Sequence, residues 1–417
     1  MQHWWHEENK RGIRTKFSDD LLWLVYLTCE YIEFTGDTSI LEEKTPYLMG
    51  EPLKENEDER YDKFETTKEE GTILEHCIKA IDRSLNFGEN RLPKIGSGDW
   101  NDGFSNVGTK GKGESVWLGF FLYDILDRFI KIIKENNNMS EEKITQYEQT
   151  MQQLKKALNT NGWDGRWYKR AFMDDGNTLG SMENDECRID SIAQSWSIIS
   201  NAGDNDKKYI SIESLENHLI DKENGIIKLL DPPFEKGKLN PGYIKSYLAG
   251  VRENGGQYTH AAIWVIIAEA ILGFGDKATD LYRMINPIEH TRTKDSSNKY
   301  KVEPYVIPAD IYGASNLAGR GGWTWYTGSS SWYYKAGIEC ILGLKIKNDI
   351  LNIEPCIPKD WKEFNIKYKW KNSFYNIIVK NPNGKNFGVE NILVNGEKVE
   401  NGIKLQNNGV YNVEVKM

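Results

Sequence analysis

The segment at residues 96–103, GSGDWNDG, contains the side chains best suited to acid–base chemistry. Asp99 and Asp102 lie on either side of Trp100, and a carboxyl beside an apolar ring can keep its proton near neutral pH. A protonated carboxyl is what general-acid cleavage of a glycosidic bond requires. A turn in which Asp and Asn bond their own backbone explains the same residues, and for this motif alone it is the commoner outcome.

Two segments further along the chain have residues suited to binding an oxyanion. Arg252, Glu253 and His260 flank a Gly-Gly turn just before an apolar helix, where an imidazole and backbone N–H groups suit phosphate. Thr327 and Gly328 stand just before another helix and offer a hydroxyl and an N–H group. Ordinary helix capping explains each segment equally well when it is considered alone.

Residues 2–21 contain the sequences QHWWH and RGIRT and an acidic pair, Asp19-Asp20. Two further candidates lie in RGIRT and in the acidic pair. Arg14 is a candidate for binding phosphate, with an ion pair to Asp19 or Glu33 as the plain alternative. Asp20 is a candidate for binding sugar hydroxyls, and the alternative is a first-turn acid favoured by the helix dipole.

The bulk composition excludes several classes of partner. The net charge is −9 and the lysines are scattered, which argues against nucleic acid. The longest apolar runs, such as residues 261–272, are shorter than the about 20 residues that cross a bilayer. The first residues lack the basic and apolar regions of a signal peptide, and the five cysteines include no CxxC pair. We therefore expect a cytoplasmic protein with reduced thiols and no membrane or nucleic-acid partner.

No metal or organic cofactor is expected from the motifs. The six histidines show no HExxH pattern, and the close pair His3 and His6 has no third ligand at metal-site spacing. Residues 110–114, KGKGE, are basic and glycine-rich but lack the spacing of a phosphate-binding P-loop.

Aromatic content is the unusual feature of the composition. The chain has 14 Trp and 21 Tyr, many of them in glycine-rich segments beside carboxylates and amides. Sugars stack their C–H faces on aromatic rings and need fixed polar partners for their hydroxyls, so this composition favours a carbohydrate ligand.

The candidate residues lie on loops between predicted helices. Apolar spacing predicts a helix from Ser18 to Gly36 and a second from Ser140 to Asn161. Further helices are predicted at residues 71–86, 115–136, 189–200, 258–286 and 331–343. The connecting loops are long and rich in Trp, Gly and Asp, which predicts ordered, functional loops at residues 91–114, 160–188, 230–257 and 304–330.

The pattern changes after Leu344. Alternating β-forming residues predict strands at residues 365–370, 375–379 and 411–415, and Asn395-Gly396 is a hairpin signal. We therefore predict a mainly α domain at residues 1–345 and a small antiparallel β-domain at residues 346–417.

Taken together, these motifs resemble glycoside hydrolase family 94, the cellobiose, chitobiose and β-1,2-glucan phosphorylases. The resemblance runs in order from the first residues to about Ser331 and is carried by QHWWH, RGIRT, GDWNDG, CRIDSIAQSW, RENGGQYTHAA and GGWTWYTGS. It is strongest to the phosphorylase-like C-terminal region of cyclic β-1,2-glucan synthases. The fold that it implies is an (α/α)6 barrel followed by a β-rich domain.

The resemblance also implies roles for individual residues. Asp102 would be the general acid. The phosphate site would consist of Arg14, His260, Thr327 and Gly328, and the sugar-binding residues would be Asp20, Asp99, Trp100 and Glu253.

The implied reaction is inverting phosphorolysis of a β-linked gluco-oligosaccharide, with β-1,2-glucan favoured. Phosphate, the co-substrate, attacks the anomeric carbon while Asp102 protonates the leaving oxygen, so that no catalytic base is needed and α-glucose 1-phosphate forms. The partners expected are therefore the glucan and phosphate.

Two other hypotheses, a hydrolase and an inactive glucan-binding fragment, are compatible with the sequence. An inverting (α/α)6 hydrolase would need a second carboxylate to activate water, and Glu253 and Glu186 are the candidates.

Family members also carry a large β-sandwich and a first barrel helix before the QHWW-like segment. The barrel is therefore expected to lack its first helix, and a separate N-terminal half or a second copy would be its protein partner. An inactive glucan-binding fragment is the non-enzymatic alternative.

Overall fold

The computed structural model describes residues 3–136, 138–325, 327–400 and 402–417. Gln2 and Tyr326, which belong to two of the sequence motifs, lie outside the described residues. The chain divides into two compact units. Unit 1 consists of Met1–Ile32, Asp37–Leu219 and Leu229–Gly256, and unit 2 of Glu33–Gly36, Ile220–Lys228 and Gln257–Met417.

The α-helices of the described residues occur throughout the region before residue 336. They are α1 (Leu22–Thr35), α2 (Ile73–Ser84), α3 (Val116–Asn136), α4 (Glu141–Thr160), α5 (Ser191–Ile199), α6 (Asn205–Leu219), α7 (Thr259–Ile271), α8 (Gly275–Met284), α9 (Pro287–His290), α10 (Lys294–Tyr300) and α11 (Ser329–Lys335). Short 3₁₀ turns occupy Thr38–Glu42 and Tyr243–Ser246, and a π-helical turn at Ala336–Ile341 continues α11.

The strands form several small sheets and one larger one. They are β1 (Trp5–His6), β2 (Arg11–Thr15), β3 (Lys44–Met49), β4 (Glu59–Lys63), β5 (Glu65–Thr72), β6 (Glu114–Ser115), β7 (Ala171–Phe172), β8 (Thr178–Leu179), β9 (Ile189–Asp190), β10 (Ile220–Asp221), β11 (Ile226–Ile227), β12 (Leu230–Asp231), β13 (Gln257–Tyr258), β14 (Asp310–Ile311), β15 (Leu344–Lys347), β16 (Ile350–Ile353), β17 (Glu363–Trp370), β18 (Ser373–Lys380), β19 (Asn391–Val394), β20 (Glu397–Val399), β21 (Ile403–Lys404) and β22 (Val410–Lys416).

Most of the predicted helices are present, and their ends follow the local chemistry. Helix α4 begins after Ser140, whose side chain accepts a hydrogen bond from the N–H of Lys143. Helix α2 begins with a capping box between Thr72 and Glu75, and both of its hydrogen bonds are formed. The single helix predicted at residues 258–286 was wrong, because α7 ends before Gly273, which has a φ of +80° that an L side chain rarely adopts.

Residues 44–72 are a second departure from the mainly α prediction. They contain β3, β4 and β5, with β3 and β5 paired antiparallel and β4 paired with β2. Many of their side chains are exposed and charged, so the apolar alternation that marks a strand is weak there. The fold is therefore a mixture of helices and small sheets.

Helix α3 is the longest helix among the described residues, and most of its side chains are buried. It is apolar on most of its surface, and it packs against α4 and α5. The rings of Trp117 and Phe121 are stacked with centroids 5.3 Å apart, and Trp196 of α5 meets both rings edge-on. Rings of this size each bury about 150–250 Å², so this cluster fixes the helices that carry the loops of the unit.

Partly buried carboxylates hold the long loops of unit 1 in place. Asp174 accepts hydrogen bonds from three backbone N–H groups of the 91–114 loop, at 2.7–2.9 Å. Glu186 does the same for three N–H groups of the 230–257 loop, at 2.6–2.8 Å. Each contact satisfies backbone donors that a long loop would otherwise leave to water, which is why these loops are ordered.

Unit 2 ends in a five-stranded sheet with the order β17-β18-β22-β19-β20. Asn395-Gly396 forms the predicted hairpin between β19 and β20. One feature of the prediction was wrong, because β18 and β22 pair in parallel, whereas the other pairs of this sheet are antiparallel. The domain boundary at residue 345 stays a prediction.

The helices of the described residues include none that is both long and apolar enough to cross a membrane.

Candidate active site

The GSGDWNDG loop of unit 1 is docked on the segment just before α1. The N–H and the hydroxyl of Ser18 both donate to the carbonyl of Gly98, at 3.0 and 3.1 Å. Gly96 has a φ of +64°, and a Cβ there would lie 2.3 Å from the carbonyl oxygen of Lys16. Only glycine allows this close approach, which brings Asp102 to the same side of the unit as Asp20.

Asp99 is fully buried and is held by an ion pair. The guanidinium of Arg170 donates to both of its oxygens, at 2.7 and 2.6 Å, and the hydroxyl of Ser115 donates to one of them at 2.6 Å. Arg170 also lies 3.5 Å from Asp190, and all three charged side chains have no exposed surface. These contacts support an indirect part for Asp99 in shaping the loop, and a direct bond from Asp99 to sugar stays a prediction.

Asp102 is the more accessible of the two carboxyls of the loop, with 41% of its side chain exposed. Partial burial raises its pKa to about 6, and the charges of Asp20, Glu253 and Asp99 act in the same direction. The imidazole of His3, whose Nε2 lies 3.7 Å from Oδ2 of Asp102, opposes this rise. The group therefore holds its proton to a higher pH than an ordinary aspartate and still faces solvent, which is what a general acid requires.

Asp20 contacts His3, as Asp102 does, and has both carboxylate oxygens occupied. Its Oδ1 lies 2.8 Å from Nδ1 of His3, and its Oδ2 accepts a hydrogen bond from the hydroxyl of Thr15 at 2.7 Å. The adjacent Asp19 is buried and accepts a hydrogen bond from the indole of Trp23. Burial and the charge of Asp20 raise the pKa of Asp19 to about 8, so it stays protonated at neutral pH.

Two other predicted sugar-binding residues belong to the same unit. Trp100 lies half-buried on the GSGDWNDG loop. Glu253 lies 3.4 Å from the guanidinium of Arg252, which in turn lies over the ring of Tyr247. The charge of Glu253 contributes to the raised pKa of Asp102, so the two carboxyls are close enough to interact electrostatically within unit 1.

Arg14, a predicted phosphate ligand, also belongs to unit 1. Its guanidinium donates to the carbonyls of Gly50 and Glu51, at 3.2 and 2.7 Å, and lies over the ring of Phe64. Strand β2, which carries it, is fixed by pairing with β4. These contacts use part of its five-donor fork and hold the side chain in one orientation.

The other predicted phosphate ligands belong to unit 2. His260 packs against Trp264 and Trp332, and burial lowers its pKa to about 3, so that it is a neutral imidazole at neutral pH. The hydroxyl of Thr327 accepts a hydrogen bond from the N–H of Ser329, and Gly328 stands immediately before α11. A neutral His260 would bind an anion as an N–H donor without adding charge.

Glu186, one of two candidates for a hydrolytic base, is committed to the protein. Burial acts to raise its pKa, but the three backbone hydrogen bonds to Oε1 and the charge of Lys245 together outweigh burial and lower the pKa. A carboxylate with a lowered pKa and this many donors is a poor base, which leaves Glu253 as the candidate for that role.

Three residues that lie around Asp20, Asp99 and Asp102 were missed by the sequence analysis. His3 was considered only as a metal ligand, Asp19 only as a partner of Arg14, and Arg170 not at all. The structure brings them together with Asp20, Asp99 and Asp102 through contacts between distant parts of the chain. No group of three or more His, Cys, Asp or Glu side chains suited to a metal ion occurs within the described residues.

A carboxyl with a raised pKa, set among fixed carboxylates and aromatic rings on loops between helices, is typical of enzymes that cleave glycosidic bonds. Comparison with known proteins agrees, because the sequence profile of the glycosyl hydrolase 94 superfamily catalytic domain matches residues 2–343. The chain belongs to this family, and the resemblance inferred from its motifs is confirmed.

Three relatives illustrate the range of the family. The chain is 44% identical, over 91% of its length, to the cyclic β-(1,2)-glucan synthase NdvB of Rhizobium meliloti (strain 1021), and covers 13% of that protein. It is 30% identical, over 92% of its length, to the solabiose phosphorylase of Paenibacillus borealis, and covers 47% of it. It is also 30% identical, over 94% of its length, to the N,N'-diacetylchitobiose phosphorylase of Vibrio furnissii, and covers 46% of it. The chain thus spans less than half the length of each of these relatives.

Proposed function

We propose that this chain is the catalytic part of an inverting glycoside phosphorylase that releases α-glucose 1-phosphate from a β-linked gluco-oligosaccharide. The observation that carries the proposal is the state of Asp102, a partly exposed carboxyl whose pKa is raised to about 6 and which His3 links to a fixed Asp20. Membership of a family that includes several phosphorylases supports the same reaction.

In the proposed mechanism Asp102 protonates the glycosidic oxygen as the bond to the anomeric carbon breaks. Phosphate attacks that carbon from the opposite face, so the configuration inverts and the phosphate site takes the place of a catalytic base. Asp20 orients the sugar through its hydroxyls, and Trp100 provides a ring against which the sugar can stack. The sequence resemblance assigns phosphate to Arg14, His260, Thr327 and Gly328.

The choice of β-1,2-glucan as the favoured substrate depends on one relative. The 44% identity to a cyclic β-(1,2)-glucan synthase is higher than the 30% identity to the solabiose and chitobiose phosphorylases. We also propose that residues 1–345 form the (α/α)6 barrel that the family resemblance implies and that residues 346–417 form the β-rich domain.

The test is release of glucose 1-phosphate from β-1,2-gluco-oligosaccharides and from cellobiose, with phosphate present or omitted. We expect a sugar phosphate that forms only when phosphate is present, because phosphate is the nucleophile. Free glucose released at the same rate without phosphate would contradict the proposal and favour a hydrolase with Glu253 as base. No product from protein that unfolds cooperatively would favour a glucan-binding fragment.

The pH dependence of the reaction provides a second test. A general acid works only when protonated, so kcat/KM for the oligosaccharide should be constant below the Asp102 pKa of about 6 and fall above it. Above that pKa, kcat/KM should fall by nearly tenfold per pH unit when it is measured with saturating phosphate at every pH. A rate that is constant or rises between pH 6 and 8 would exclude Asp102 as the acid in this protonation state.

A further inference from the structure

We propose that His3 is a charged bridge between Asp20 and Asp102, which fixes the first carboxylate and sets the pH range in which the second acts. This inference rests on the proposed function for its catalytic meaning. His3 is a positioning residue in this scheme, because it acts through the two aspartates.

The geometry places one imidazole between two carboxylates. Nδ1 of His3 lies 2.8 Å from Oδ1 of Asp20, and Nε2 lies 3.7 Å from Oδ2 of Asp102. Carboxylates accept hydrogen bonds, and an imidazole offers donors on both nitrogens only in its protonated form. The arrangement therefore favours the imidazolium, with one direct hydrogen bond and one close charge contact.

The ring is held in this position by the fold. The backbone N–H of His3 donates to the carbonyl of Ile13 at 2.8 Å, so the residue is anchored to β2. Phe17 meets the imidazole edge-on at 5.0 Å, and the ring of Trp4 stacks on it at 6.3 Å. Only 23% of the side chain is exposed, which limits the water that could screen the charge contact.

The charges around His3 and Asp102 shift the pKa of each group in the direction that the bridge requires. His3 is faced by Asp19, Asp20 and Asp102. Burial lowers its pKa, but the hydrogen bond to Asp20 and the charges of the neighbouring carboxylates, Asp20 foremost, outweigh burial and raise it overall. Asp102 is faced by Asp20, Glu253 and Asp99, whose charges raise its pKa, and by His3, which lowers it. Without the imidazolium, Asp102 would hold its proton to higher pH.

The first test replaces His3 with a neutral side chain that can still donate a hydrogen bond. In His3→Gln we expect the alkaline limb of the kcat/KM profile to move up by about one pH unit, because an opposite charge at this distance is removed. The matched control is His6→Gln on the neighbouring β1, where the ring faces Tyr61 instead of the acid, and its profile should match the wild type. A lower rate with an unmoved limb would mean that His3 is merely structural, and would overturn the proposal.

The second test does not depend on activity. The chain has six histidines, so the imidazole signal of His3 can be assigned in an NMR titration by its loss in His3→Gln. We expect Asp102→Asn to lower the pKa of His3, because the effect of one charge on the other is reciprocal. A His3 titration that is the same in wild type and Asp102→Asn would overturn the bridge. If the wild type makes no sugar phosphate at any pH, the proposed function fails while this titration still decides the bridge.

Discussion

The Asp102→Asn variant should lose about a thousandfold in kcat for phosphorolysis of the oligosaccharide, because a general acid contributes about 10²–10⁴-fold. The amide has nearly the same shape as the carboxyl and cannot transfer a proton. Asp102 has 41% of its side chain exposed, so the substitution buries no new polar group and the fold should be unchanged. The measurement is the initial rate of glucose 1-phosphate release, with unfolding monitored in parallel.

A change of leaving group distinguishes loss of the acid from general damage to the site. A dinitrophenolate leaves without being protonated, so the dinitrophenyl β-glucoside should be cleaved by Asp102→Asn at a rate close to that of the wild type. Asp206→Asn, a substitution of an exposed residue in the first turn of α6, provides the matched control and should retain activity on both substrates. Equal losses on both substrates would exclude Asp102 as the acid.

Local chemistry made the secondary structure around the site predictable. Helices α3 and α4 have continuous apolar faces, and α4 begins at a serine cap, so their existence follows from neighbours within one turn of the chain. The strands after residue 362 alternate in the same local manner. The break between α7 and α8 was missed because α7 is almost entirely buried, and a wholly apolar segment carries no period that would show where it ends.

The contacts that define the site could not be predicted in the same way. His3 and Asp20 are 17 residues apart, and Arg170 and Asp99 are 71 residues apart. Nothing in the letters around Arg170 distinguishes a buried ion pair from a solvated arginine, because its partners are brought to it by the packing of whole helices and loops. The motif therefore pointed to Asp102 as the candidate acid, while the residues that contact it and hold its loop were visible only in three dimensions.

This buried ion pair is the basis of the second large effect. Arg170→Met should destabilise the protein by about 3–5 kcal/mol, because it leaves Asp99 and Asp190 buried without their cation. Methionine fills much of the same volume beside Phe104, so the loss comes from the uncompensated charges more than from a cavity. The measurement is the free energy of unfolding in urea. An unchanged slope of this free energy against urea concentration would show that the variant and the wild type unfold in the same way.

Three further variants, Arg166→Met, Asp99→Asn and the double variant Arg170→Met/Asp99→Asn, assign the effect to charge. Arg166→Met removes an exposed arginine from the same loop and should change the unfolding free energy by less than about 0.5 kcal/mol. Adding Asp99→Asn to Arg170→Met should restore part of the lost stability, because an amide is less costly to bury than an unpaired carboxylate. If the double variant is as unstable as the sum of the two single variants, the arginine holds the loop by packing alone. Recovery of stability without recovery of phosphorolysis would show that the same ion pair also aims the loop that carries Asp102.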